Sequence, residues 1–466
     1  MRSIDFEWQA DGDSGHWEII AQTKKRPRRK WPRWLWIVLA LVILVSSAAG
    51  YIVVRRRYEE ANRQIAFQIQ SLIDLEAQAW AKADRALFLA QQDEASIEWY
   101  ARQGRCIQAE RRQSRDRCWP VLPAKLQTVN LQGDIAWAEV IEGNQPVRRV
   151  RFYRRTDQGW KRTAPRVAFW KNAVELHEGR LLIVRYHQRD QPHIDSFLEH
   201  IGKAFYDVCA TVGCPQDRTF EVDFAVEVPA DDLPRIDGAK LTLASPWLSG
   251  IPVEGDWSEA NLESGTYWLA YMAAAESLRS TDHPFSDSLQ SAIVDEYAAW
   301  VSTQDPAQAP ILGRVIARRG MDALPGVFAS LKRSPTLTSF LAQWLSLSPT
   351  STDRAKAFFE TLLNVEWEAL VAGRKDTFLV LQDSTMADLA LQNQETFDEF
   401  QSQDTRPTLP VIEVLAVDMT NPDQVVVAFQ TQHPDVLQGQ TVFLSRNGDW
   451  KHGDPIVSLF PPGSSP

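Results

Sequence analysis

The residues best able to do chemistry in this 466-residue chain are its histidines, cysteines and scattered acids, and their spacing argues against the common enzyme classes. None of the eight histidines belongs to a His-Glu-x-x-His helix, in which imidazoles at i and i+4 would hold zinc beside a glutamate base. His177, His187, His193 and His200 cluster, running from an expected strand into an expected helix. His193 and His200 share a helix face, but two histidines supply fewer than the three protein ligands of a catalytic zinc. There is no Gly-x-Ser-x-Gly elbow and no phosphate-cradling glycine loop. Cys106 with Cys118, and Cys209 with Cys214, form two close pairs suited to short disulfide loops. Neither pair has the Cys-x-x-Cys spacing of redox or zinc sites, and no cofactor or metal is expected.

The elements that would position these groups begin at Trp34–Val54, 21 residues without a charge. As a helix they reach roughly 30 Å, which predicts one transmembrane span over 34–54 and the lipid bilayer as a partner. Seven Lys and Arg lie between Lys24 and Arg33, against four between Arg55 and Arg63. This asymmetry predicts a single-pass plasma-membrane protein with a cytoplasmic N-terminus and an extracytoplasmic bulk. The rival reading is a signal peptide cleaved near Ser46-Ser47-Ala48-Ala49. Residues 1–30 are polar and lack helical periodicity, so they read as a disordered tail. Residues 1–57 carry a net charge of +6 within a total of −10, leaving the remainder acidic. An acidic body is a poor nucleic-acid binder, and no nucleic-acid partner is expected.

Beyond the span, Tyr58 to about Asp93 has apolar residues at helical spacing: Ile65, Ile69, Leu72, Ile73, Leu75, Ala79 and Trp80. Alternation in Ala136–Val140 and Val147–Tyr153, followed by Asp157-Gln158-Gly159 and Trp160, predicts an antiparallel hairpin. This pattern returns 290 residues later. Leu72–Asp93 aligns without gaps on Leu362–Asp383, pairing Glu76 with Glu366, Phe88-Leu89 with Phe378-Leu379, and Gln92-Asp93 with Gln382-Asp383. Gly159-Trp160-Lys161 with Pro165 likewise faces Asp449-Trp450-Lys451 with Pro455. A helical hairpin followed by an antiparallel sheet resembles the cone-shaped nuclear-transport-factor-2-like (SnoaL-like) fold. The resemblance implies two cone-like α+β repeats, at 58–172 and 352–460, each with a pocket at the wide end of a curved sheet. Trp160 and Trp450 then read as core plugs.

Residues 176–350 have a different texture, with strands at Leu181–Tyr186, Phe220–Val228 and Lys240–Leu243 and a helix over His193–Val212. Further helices follow near Ser264–Arg279, Phe285–Thr303, Met321–Leu331 and Leu337–Leu345, making an α+β unit. This order resembles the catalytic domain of gluzincin (peptidase MA-like) metallopeptidases, where one helix bears His-Glu-x-x-His and the next supplies a glutamate ligand. The resemblance places Glu296, within Ile293–Trp300, where the third ligand would be. It places Tyr267 and Tyr271 at the histidine positions and Trp268 at that of the base. Phenols and an indole neither hold zinc as imidazoles do nor accept a proton near neutral pH.

The sequence therefore predicts a degenerate, pseudo-peptidase domain between two cone-shaped repeats, in a membrane protein that binds an extracytoplasmic protein, peptide or small ligand without chemistry. The competing expectation is a membrane-anchored, metallopeptidase-like hydrolase whose site is not recognisable, centred on Glu296 and the His193 region.

Overall fold

The computed structural model describes residues 33–108, 124–143, 146–226, 234–254, 257, 259–279, 288–333, 335–385, 387–402, 411–432 and 437–453. The expected tail over 1–30, together with Cys118, Pro455 and the last residues, lies outside them. The chain divides into two compact units, Met1–Gln64 and Ile65–Pro466.

The first unit holds the start of a single 49-residue helix, α1 (Arg33–Ala81). The expected transmembrane span is corrected here: among the described residues, no helix is long and apolar enough to cross a membrane. After Val54 the helix meets Arg55, Arg56 and Arg57. The helix continues through these arginines, where Arg55 pairs with Glu59 at 2.9 Å, so the apolar run is not a separate element. The membrane keywords, the plasma-membrane localisation and the transmembrane part of the fold class are corrected with it.

In the second unit, α1 is followed by α2 (Arg85–Ala90) and α3 (Ile97–Gln108), then by β1 (Ala124–Gln132), β2 (Ile135–Glu142), β3 (Val147–Thr156) and β4 (Gly159–Thr163). These strands form an antiparallel sheet whose β1–β2–β3 order follows the chain, with β4 against the far half of β3. One face packs Ala136, Ala138, Val140 and Tyr153 on Ile69, Leu72 and Ile73 of α1. The other packs Val150 and Phe152 on Phe169 and Trp170.

Next come β5 (Ala173–Glu178), β6 (Leu182–His187), α4 (Gln191–Val212), β7 (Phe220–Ala225), β8 (Arg235–Asp237), β9 (Lys240–Ala244), the short α5 (Pro246–Ser249) and β10 (Ile251–Pro252). The middle sheet runs β5–β6–β7–β9–β8, and its two inner pairings are parallel. The fold is thus mixed α/β, which corrects the expected α+β class. The physical reason is α4: a helix between β6 and β7 carries the chain across the sheet and returns it in the same direction. Cys209 and Cys214 are disulfide-bonded at the end of α4, and Cys106 is also in a disulfide.

Six helices follow: α6 (Glu259–Leu278), α7 (Ser288–Thr303), α8 (Pro310–Arg319), α9 (Leu324–Leu331), α10 (Leu337–Leu345) and α11 (Thr352–Ala372). The chain closes with α12 (Lys375–Leu381), α13 (Ala387–Gln401) and an antiparallel meander, β11 (Ile412–Asn421), β12 (Gln424–Thr431), β13 (Gln438–Arg446) and β14 (Asp449–His452).

The two sheet-bearing segments share local devices 290 residues apart. Gln92 bridges Arg162 and Gln382 bridges His452, both in parallel sense. The Asp93 amide donates to Arg162 O at 2.8 Å, and the Asp383 amide to His452 O at 2.9 Å. Lys161 Nζ reaches Ala90 O as Lys451 Nζ reaches Val380 O. In each, one side chain holds an amide of the first strand: Gln70 accepts from Leu126 N at 2.8 Å and Glu360 from Val414 N at 3.1 Å.

Candidate functional site

Helices α6 and α7 pack against each other, and α6 also lies on α4, where Gly265 permits close approach: a Cβ there would stand 2.6 Å from Phe197. The helix periodicity puts Tyr267 and Tyr271 on one face of α6, and Ser291 and Asp295 on one face of α7. The helices bring these faces together. The Tyr267 hydroxyl donates to Asp295 Oδ1, and Tyr271 is hydrogen-bonded with Ser291. Ser291 Oγ donates in turn to Asp376 Oδ2, while Arg374 Nη1 lies 3.4 Å from Asp295 Oδ2 and its Nη2 donates to Gln308 Oε1 at 2.9 Å. Trp268 packs edge-on to Tyr267, with ring centroids 4.9 Å apart, and is half-buried.

Glu296 is not part of this seam. One residue beyond Asp295, it is turned about 100° around the helix axis and is fully buried. Its Oε2 accepts from the amides of Ile311 at 2.9 Å and Leu312 at 2.7 Å, and its Oε1 accepts from Thr377 Oγ1 at 2.7 Å. It satisfies the first amides of α8, a helix that begins with Pro310 and has no side-chain cap of its own. Among the four residues expected at the degenerate site, the structure thus joins Tyr267, Trp268 and Tyr271 and separates Glu296.

The electrostatics suit structure better than catalysis. Burial, reinforced by Asp295, raises the Tyr267 phenol above its ordinary range, and burial also raises Tyr271. Burial raises the Asp295 carboxyl despite Arg374, and pushes Glu296 up to about 7. Phenols held protonated and an aspartate engaged by a phenol and a guanidinium provide neither a metal-ligand set nor a free base. No group of three or more His, Cys, Asp or Glu side chains able to hold a metal occurs among the described residues. Of the clustered histidines, His200 Nδ1 contacts Ser196 O at 2.8 Å in an exposed position, and the His193 ring packs on Trp247 at 6.0 Å.

The seam makes a stability prediction. Tyr267→Phe removes one donor to a buried carboxyl and should lower unfolding free energy by about 1–2 kcal/mol in urea titrations, without changing the fold by circular dichroism.

Sequence reasoning missed Asp295, Arg374 and Asp376. The available signal was the shared register: Tyr267 opposite Asp295 and Tyr271 opposite Ser291 is the pattern of two antiparallel helices reading each other four residues at a time. A second missed network joins three elements. Trp170 Nε1 donates to Ser245 Oγ at 2.7 Å, and Ser245 Oγ donates to Asp190 Oδ1 at 2.8 Å. Burial pushes Asp190 up to about 7.

Compared with known proteins, the chain matches no family model, no curated protein and no solved structure.

Proposed function

We propose that this protein works by binding a protein, peptide or small ligand rather than by catalysis, with a pseudo-peptidase body between two SnoaL-like cones. One observation carries the reading: the two positions that would hold zinc in a gluzincin, Tyr267 and Tyr271, are used to stitch α6 to α7, while Glu296 caps α8. A carboxylate that must accept from Ile311, Leu312 and Thr377 is not available to a metal or to a water nucleophile. The cone resemblance rests on the two helix-then-meander segments and their matching bridges. Elemental analysis of the purified full chain, with hydrolysis of a mixed peptide library followed by mass spectrometry, tests the reading. Zinc well below one per chain and no cleavage are expected. Stoichiometric zinc, or peptide turnover abolished by Glu296→Gln, would overturn it.

A further inference from the structure

On the outer side of the first sheet, away from α1, Val150 and Phe152 of β3 are covered by a roof that begins with the residues directly after β4. Thr163, the last residue of β4, pairs with Phe152. A few residues later the chain lays Phe169 and Trp170 on that same ring, at centroid distances of 5.7 and 5.5 Å. One turn of 3-10 helix, Val167–Phe169, brings them back. Phe169 N donates to Arg166 O at 3.1 Å and Trp170 N to Val167 O at 2.8 Å, so the returning backbone keeps its hydrogen bonds while both rings enter the core. Trp247, Leu248 and Ile251 complete the cover.

The second sheet has an outer side of the same kind. Val425, Val427, Phe429 and Phe443 enter the core, and alternation along the strands leaves Ala416, Val426, Ala428, Val442 and Leu444 on the opposite face. Val426 stands opposite Val442 as Trp137 stands opposite Phe152. The degree of cover differs. Val150 and Phe152 are buried, whereas Val426, Ala428, Val442 and Leu444 are half-buried and Ala416 is exposed. Covering such an aliphatic row would gain roughly 25 cal/mol for each Å² removed from water.

The described residues stop at Gly453, whose amide donates to Val442 O at 2.8 Å. On the 290-residue spacing this is the counterpart of Thr163 beside Phe152. The sequence that follows keeps the pattern of the roof: Pro165, Val167, Ala168, Phe169 and Trp170 correspond to Pro455, Val457, Ser458, Leu459 and Phe460. Only Ala164 and Arg166, exchanged for Asp454 and Ile456, change character. Neither helix periodicity nor strand alternation generates this match, because the roof segment lies beyond the last strand of each sheet.

We infer that the outer face of the second sheet is the docking surface for the chain's own residues 455–460, with Leu459 and Phe460 laid across Val426 and Val442 by a turn like Val167–Phe169. The half-covered aliphatic face, the point at which Gly453 leaves the sheet and the residue-for-residue match to the roof all select this occupant. The assignment is independent of the reading given to α6 and α7.

Hydrogen–deuterium exchange of the full chain, resolved to single amides, tests it. The Leu459 and Phe460 amides, donating to Ile456 O and Val457 O, should exchange at least about tenfold more slowly than in a free peptide of residues 454–466. Val442→Asp puts a charge in the middle of the face and should return both amides to the peptide rate. Phe460→Trp, the residue that the first cone carries, should keep the protection. Exchange at the peptide rate in the unmodified chain, or protection that survives Val442→Asp in a folded protein, would overturn the proposal. Protection that fades on dilution would overturn it too, since the segment on the face would then come from a second copy. Leu459→Asp lies outside the sheet and should release the Phe460 amide, which keeps the test readable where the Val442 variant fails to fold.

Discussion

Glu76→Ala is expected to lower the unfolding free energy by about 3–5 kcal/mol. The side chain is fully buried and accepts from Arg151, Arg162 and Gln92 at once. Truncating it leaves guanidinium groups in the interior without their shared counter-charge, and a guanidinium cannot neutralise itself. Glu366→Ala in the other cone provides the internal control. There one imidazole, His452, stands in place of the two guanidinium groups that meet Glu76, so the loss should fall nearer about 1–3 kcal/mol. Urea titrations of both variants check the pair. Equal losses would show that charge is not what makes the first network fragile.

Glu296 provides the second large effect, as a function of pH. Burial raises its carboxyl from an ordinary 4.5 to about 7, so between these values the native protein holds a proton that the unfolded chain has released. More protons bound in the native state means that stability falls as pH rises across that window. The buried acid contributes fully at or below about pH 4.5, and the contribution is lost by about pH 7. The integrated loss is about 3 kcal/mol. Glu296→Gln removes the titration and keeps an acceptor for α8. Relative to this variant, the parent should lose stability between pH 5 and pH 8, measured by denaturant midpoints. A constant difference across that range would refute a titrating Glu296. Asp190, raised in the same sense, is present in both proteins and drops out of the comparison.

What could be read in the sequence depended on whether a feature leaves a periodic trace. The 290-residue spacing is visible because helix faces and the Trp-Lys ends of hairpins repeat residue for residue, and the Gln92–Arg162 and Gln382–His452 bridges fall on the same spacing. The parallel pairings of β6, β7 and β9 leave no such trace, since short apolar strands look alike in either direction. Glu296 was legible as a helix residue but not in its role, because moving one position along a helix changes the neighbour entirely. Asp295 took the place facing Tyr267. The arginines of β3 alternate with Val150 and Phe152 as a half-exposed strand would, yet both faces are covered. The uncharged run at 34–54 shows the converse: composition alone suggested a separate element, whereas one helix carries it straight on into Arg55–Arg57.

The two-residue strand β10 has a consequence for synthesis. Ile251 and Pro252 pair with Arg148 and Val147, and Trp247, Leu248 and Ile251 cover Val150, Phe152 and Trp170 on the outer side of the first sheet. A ribosome must therefore deliver some eighty further residues after the Trp170 turn before that sheet is roofed and its open margin sealed. Nascent chains stalled short of Pro252 would display a sticky aromatic surface, which makes this interval the natural point for chaperone capture during translation.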